Sequence, residues 1–253
     1  MTGSQWRSYL KVAEAAALRA ADKIKGRGAD LLAADLIGRR DIKLAADREA
    51  EGIILDVLAS ETGFPALSEE AGEVGGTSTN GMRWVVDPLD GTANYSRGLP
   101  FFCVSIALER AGDPVIGVVH DVMRGETFSG AVGFGAWLNG APISVSNNAD
   151  PARSVFATGL PARRDFSAES LGEFGRSLGR WQKVRLLGSA ALSLAYVAAG
   201  RCDAYAEQSI MPWDVAAGIS LVRAAGGEAR AVKLEAGGLD VIAGNAALLE
   251  AAF

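Results

Sequence analysis

Apolar residues recur at helical spacing over residues 5–24. Trp6, Tyr9, Leu10, Ala13, Ala16, Ala17 and Ala20 fall on one face, which predicts an amphipathic helix burying a single stripe. Lys25-Gly26-Arg27-Gly28 ends it, and residues 29–41 carry no clear period. A second helix is expected from near Leu44 through Ile53, Ile54, Val57 and Leu58 to about Ser60, with Asp47 in its first turn. An acid there complements the helix dipole. Thr62-Gly63-Phe64-Pro65 reads as a turn. Ala66-Leu67-Ser68 reads as a short extended piece ending in Glu69-Glu70, and Gly75 to Gly81 as a mobile Gly-rich loop.

From Trp84 the pattern turns to strands. Trp84-Val85-Val86 leads into Asp87 as a buried strand, followed by Phe101–Glu109, Val115–Asp121 and Glu126–Val132. Turns fall at Ala111-Gly112-Asp113-Pro114, Gly133-Phe134-Gly135 and Asn139-Gly140. Consecutive strands of this kind predict an antiparallel sheet in the first half. Beyond Ser154 strands and helices alternate. Strands are expected at 154–159, 183–187, 202–207, 228–233 and 239–243, and helices at 167–179, 189–199, 213–225 and from Asn245. Such a mixture favours a layered sandwich. A soft boundary near Asn147–Pro151 lacks linker composition, so halves 1–150 and 151–253 are expected to form one compact unit.

Composition narrows the function classes. With 253 residues, 49% hydrophobic and 22% charged, the chain has the balance of a globular protein with a sizeable core. A net charge of −5 gives no basic footprint for nucleic acid or an anionic membrane. The short basic groups Arg39, Arg40 and Lys43, and Arg163 with Arg164, read as solvated surface. Cys103 and Cys202 lie in apolar or strand-like surroundings and read as free thiols in a reduced compartment. No signal-peptide core or membrane-length segment occurs, so the cytoplasm is the expected location.

The chemistry concentrates in Trp84–Tyr95, where the apolar run ends in Asp87-Pro88-Leu89-Asp90-Gly91-Thr92. Pro88 stiffens the acids, and Gly91 lets the backbone turn close to a ligand. Two carboxylates with a carbonyl between them, beside outward N–H groups, suit a hard divalent cation next to a phosphate. Glu69-Glu70 and the distant Asp214 are the further acids. If they converge they repel, and a metal would be needed to keep them ionised. Oxygen donors select Mg²⁺ or Mn²⁺ over zinc. The sole histidine, His120, reads as structural.

Trp84–Tyr95 together with Trp213–Gly227 resembles the paired signature of the inositol monophosphatase family of Mg²⁺-dependent, lithium-sensitive phosphatases. The resemblance extends through Asp41–Asp47, Ser68-Glu69-Glu70, Asn139-Gly140, Gly188–Ala191, Ala198-Ala199-Gly200 and Val241–Asn245. It implies a mixed α+β fold: a layered αβαβα sandwich of the sugar-phosphatase type, with an N-terminal antiparallel-sheet half and a C-terminal mixed-sheet half. It implies hydrolysis of a small polyol phosphate, myo-inositol monophosphate first, by a metal-activated water. Roughly two or three Mg²⁺ per site, with Mn²⁺ as a substitute, and a homodimer are implied with it.

Residue by residue, the resemblance gives Glu70, Asp87, the Leu89 carbonyl and Asp90 to a first metal. Asp87, Asp90 and Asp214 would share a second. Asp47 with Thr92 would orient and deprotonate the water, and Gly91 and Thr92 N–H groups would hold the phosphate. Asp90, Gly188, Ser189, Ala190, Glu207 and, more weakly, Arg185 would face the polyol. The chain departs from the family where Lys43 and Leu44 stand in place of a usual threonine. It departs again at Gln208–Pro212, where a glycine commonly follows the glutamate. Related activities on 3′-phosphoadenosine nucleotides, histidinol phosphate or fructose bisphosphate are the nearest rivals, and a non-catalytic regulator with this fold is another. Met211-Pro212 replaces the lysine-rich turn usual in the nucleotidases.

Overall fold

A computed structural model describes residues 3–25, 34–36, 42–76, 81–160, 165–235 and 237–253. The Gly26-Arg27-Gly28 stop, most of 29–41 with Arg39, Arg40 and Asp41, residues 77–80 of the Gly-rich loop, and Arg163-Arg164 lie outside the described residues.

In chain order the elements begin with helix α1 (Gly3–Lys25), the short antiparallel pair β1 (Ala34–Leu36) and β2 (Ile42–Leu44), and helix α2 (Ala45–Thr62). Strands β3 (Ala66–Ser68), β4 (Gly72–Val74) and β5 (Met82–Asp90) lead to the short helix α3 (Thr92–Ser96). Strands β6 (Cys103–Arg110), β7 (Asp113–Asp121), β8 (Glu126–Ala131), β9 (Gly135–Leu138) and β10 (Ala141–Ile143) follow. The rest comprises β11 (Val155–Thr158), α4 (Ala168–Leu178), β12 (Lys183–Arg185), α5 (Ala190–Ala198), β13 (Ala204–Ile210), α6 (Pro212–Ala224), β14 (Glu228–Lys233), β15 (Leu239–Gly244) and α7 (Ala246–Ala252).

An eight-stranded sheet runs β10-β9-β8-β7-β6-β5-β3-β4, and a five-stranded sheet runs β12-β11-β13-β15-β14. The first sheet is antiparallel throughout except at β3–β5, which is parallel. This departs from the all-antiparallel expectation for a geometric reason. The chain makes the β3–β4 hairpin and then returns on the far side of β3, which aligns β5 with it. The second sheet is mixed, with β11 parallel to β12 and β13.

Both sheets are covered on both faces, giving five layers. Trp84 and Val86 of β5 pack with the α1 and α2 core, while Val85 between them packs with α5 and α6. That two-sided burial is why the run into Asp87 is uninterruptedly apolar. Ala157, Tyr205 and Val241 bring the second sheet onto the other side of α5 and α6. On the outer face of that sheet, Phe156 and Ala204 pack with Trp181, Leu248 and Ala252, and Leu178 of α4 packs against this group. The described architecture is therefore the layered αβαβα arrangement expected.

Candidate active site

In a regular strand, residues three apart point to opposite faces. Asp87 and Asp90 escape this because β5 is bulged there. Asp87 pairs with Ser105 and Asp90 with Cys103, so β5 spends one residue more than β6. A bulge of this kind redirects side chains, and it tolerates Pro88, which has no N–H for the ladder. Gly91 then turns the chain at φ 91, and a Cβ there would stand 2.7 Å from the Phe101 carbonyl oxygen. Only glycine fits.

The third acid arrives on α6. Pro212 opens that helix, as its fixed φ and missing N–H allow, which puts Asp214 in the first turn. There Asp214 Oδ2 accepts the Met211 N–H at 3.0 Å. One oxygen each of Asp87, Asp90 and Asp214 lie within 4.8 Å of one another.

Each carboxylate is held by a donor to one of its oxygens. Asp87 Oδ1 accepts the Leu89 N–H at 3.0 Å. Asp90 Oδ2 takes the Ser189 hydroxyl at 2.5 Å, the Ala191 N–H at 2.8 Å and the Cys103 thiol at 3.7 Å. The anchor of Asp90 is thus the first turn of α5, and the N-termini of α5 and α6 both bring their positive ends to the acids.

Electrostatics agree with a site that waits for positive charge. Burial, then the charges of Glu69, Asp90 and Asp214, push the Asp87 carboxyl well above the usual carboxylate range. Burial, then Asp90 and Glu69, do the same to Asp214. Burial also raises Asp90, held back by its donors from Ser189, Ala191, Cys103 and Ala190. A divalent ion bound by all-oxygen ligands would relieve this repulsion, and the donor set fits Mg²⁺ or Mn²⁺.

The other expected site residues divide. Asp47 is buried in the first turn of α2, and its charge bears on Tyr95 of α3, the helix that Thr92 starts. Thr92 Oγ1 donates to the Leu89 carbonyl at 2.9 Å, and the Leu89 side chain is buried as an anchor. Of the adjacent acids, it is Glu69 whose charge acts on Asp87 and Asp214. The Glu70 N–H is bound to Glu51 Oε1 at 3.2 Å. The electrostatics therefore favour Glu69 over the expected Glu70 as the acid acting on the centre.

On the substrate side, Ser189 is buried, and its hydroxyl both donates to Asp90 and accepts the Leu192 N–H at 3.2 Å as the cap of α5. Its side chain serves the acid. Gly188 has φ 72, and a Cβ there would approach Asn94 Nδ2 to 2.9 Å. That amide donates to the Phe101 and Leu187 carbonyls at 2.7 and 2.8 Å, tying the segment after Asp90 to the loop before α5. Ala190 is buried at the start of α5. Glu207 is buried, accepts the Tyr205 hydroxyl at 2.9 Å, and its charge reaches Asp214. Arg185 is exposed, donates to the Val184 carbonyl at 3.0 Å and bears on Cys202.

Both cysteines are free and buried; burial raises the Cys103 thiol and pushes Cys202 up to about 11. His120 is buried with Nδ1 2.9 Å from Thr127 Oγ1 across the β7–β8 pair, a structural role. A cavity of ≈ 500 Å³ opens on the outer face of the second sheet, among Phe156, Phe174, Trp181 and Phe253; Glu207 lines it, while Asp87, Asp90 and Asp214 do not. Sequence reasoning missed Asn94, the anchoring role of Ser189, and Glu51. Glu51 had a legible signal, an acid four residues after Asp47 and hence on the same helix face.

An acidic centre cradled by two helix N-termini inside five layers is a site that could hold a divalent cation, and the comparisons narrow its class. The model of the Inositol monophosphatase family matches residues 5–251, and the chain belongs to that family. An "Inositol-1-monophosphatase" of Mesorhizobium japonicum is 42% identical over 198 residues, 78% of this chain and 74% of that protein. The "Nus factor SuhB" of Escherichia coli K12 is 40% identical over 200 residues, again 78% and 74%. The structure of inositol monophosphatase from Anabaena superposes with a TM-score of 0.84 at 36% identity, covering 96% of this chain and 93% of that one.

Proposed function

We propose that the protein hydrolyses the phosphate monoester of a small polyol, myo-inositol monophosphate first, with Mg²⁺ as its cofactor. The observation that carries this reading is the convergence of the acids. Asp87, Asp90 and Asp214 each have an oxygen fixed by a donor, and one oxygen of each lies within 4.8 Å of the others. With Glu69 and the Leu89 carbonyl they form a hard-oxygen set for Mg²⁺ or Mn²⁺. When bound, the metal would lower the pKa of the attacking water and stabilise the leaving oxygen.

The chain's own groups do the rest. Thr92 Oγ1 spends its proton on the Leu89 carbonyl, so its lone pairs are turned to accept from the attacking water. Asp47 then receives the water's proton. Gly91 and Thr92 N–H groups hold phosphate oxygens, and Gly91 allows the approach by lacking a side chain. Gly188 and Ala190 meet the polyol through their backbone, because the Ser189 hydroxyl is committed to Asp90. Glu207 accepts polyol hydroxyls beside the Tyr205 hydroxyl that holds it, and Arg185 stands at the rim.

The test is phosphate release from a panel of esters, with and without Mg²⁺ and Li⁺. Greatest kcat/KM on inositol monophosphate, dependence on Mg²⁺ and loss in Li⁺ are expected. Preference for a nucleotide, histidinol phosphate or fructose bisphosphate would move the substrate within the same superfamily. A second reading, a regulator that keeps the fold, is favoured by relatives named Nus factor SuhB. It gains if no ester is hydrolysed in Mg²⁺. Homodimerisation belongs to this reading through the family resemblance.

A further inference from the structure

Outside the acids that converge, the described residues include one more buried carboxylate on the helix that carries Asp47. Glu51 is 7% exposed and lies one turn after Asp47 on α2. Its Oε1 gathers three donors: the Ser68 hydroxyl at 2.5 Å, the Glu70 N–H at 3.2 Å and the Ala71 N–H at 3.0 Å. Ser68 is fully buried at the end of β3. From the other side, the Glu69 N–H donates to the Val86 carbonyl at 3.2 Å, one residue before Asp87. The turn bearing Glu69 is therefore held between Glu51 and the strand that delivers Asp87.

We propose that Glu51 is a positioning residue that locks the Glu69 turn to helix α2 and so sets the affinity of the acidic centre for its divalent cation. The inference rests on the reading of that centre as a Mg²⁺ site. A carboxylate suits the task because it only accepts, and every group around Oε1 donates. A short turn after a three-residue strand has few contacts of its own, so without the anchor it can swing and carry Glu69 off the centre. The same bond fixes the spacing between Asp47 and Glu69, since both then move with one rigid helix. Removing an orienting partner behind a metal ligand characteristically weakens metal binding about 10- to 100-fold.

The experiment titrates Mg²⁺ against phosphate release and against melting temperature in the wild type, Glu51→Ala, Glu51→Gln and Ser68→Ala. In Glu51→Ala the half-activating Mg²⁺ concentration should rise about tenfold or more, while kcat at saturating Mg²⁺ stays within about threefold of wild type. Glu51→Gln keeps an accepting oxygen and should recover most of the loss. Ser68→Ala removes one donor and should show a smaller rise in the same direction. If Glu51→Ala does not fold, Ser68→Ala decides, because it preserves the packing. A half-activating Mg²⁺ concentration in Glu51→Ala equal to that of the wild type, or, where that variant does not fold, no rise in Ser68→Ala, would overturn the role of Glu51 alone. A lowered kcat with unchanged Mg²⁺ dependence would do so too. A wild type with no Mg²⁺ effect on activity or melting would instead overturn the metal reading on which the inference stands.

Discussion

Asp87, Asp90 and Asp214 are costly residues in the metal-free protein, and the sign of their cost gives a test. Their folded-state carboxyls sit above the ordinary carboxylate value, most strongly for Asp87 and Asp214, because of burial. Between the unfolded value, about 4, and the raised values, the native protein holds protons that the unfolded chain has released. Stability contributed by these groups therefore falls as pH rises through that window. Mg²⁺ binds the ionised form, so the rise in melting temperature it causes should be larger at pH 8 than at pH 5. Equal shifts at both would contradict the assignment. Ser209 offers a second residue-scale test. It sits at φ 60 just after Glu207 and donates its N–H to Asp240 Oδ1 at 3.0 Å. This is the region where the family commonly has glycine, and left-handed backbone costs a residue with a Cβ about 1–2 kcal/mol. Ser209→Gly should stabilise the protein by about 1 kcal/mol in urea unfolding. A destabilised variant would show that the turn is not strained.

Helix α6 carries Asp214 and touches both of its neighbours closely. A Cβ on Gly117 of β7 would collide with the Ala217 carbonyl, and one on Gly218 with the Leu194 side chain of α5. Gly218→Ala is therefore expected to cost about 1–3 kcal/mol by overpacking. It should also weaken Mg²⁺ protection by shifting the first turn of α6. Thermal melts with and without Mg²⁺ read both effects, and an unchanged melting temperature would show that the helix has room. Long periodic elements such as α1, α2 and α6 were legible in the sequence because one stripe or one run is buried. The strands β4, β9 and β10 were not: each is three or four residues at or near a sheet edge, too short for period-two alternation to declare itself. Their turns were legible, as at Asn139-Gly140, where both residues have positive φ.

Across the whole molecule, the acidic centre belongs to neither half alone. Asp87 and Asp90 come from the first sheet, Asp214 from α6, and Asp90 is anchored by Ser189 and Ala191 of the second half. Which acids exist was readable from Asp87-Pro88-Leu89-Asp90 and Trp213-Asp214. Which of Glu69 and Glu70 faces them was not, because two adjacent acids are distinguished only by the direction of the turn. Nor could spacing show that the Ser189 hydroxyl is spent on Asp90, a contact between residues 99 apart in sequence. The most direct test of the central claim is Mg²⁺-dependent phosphate release from inositol monophosphate by the wild type beside Asp90→Asn and Asp214→Asn, with folding checked by melting. The account predicts turnover in the wild type and less than about 1% of it in either folded variant. Near wild-type turnover in either variant would contradict it.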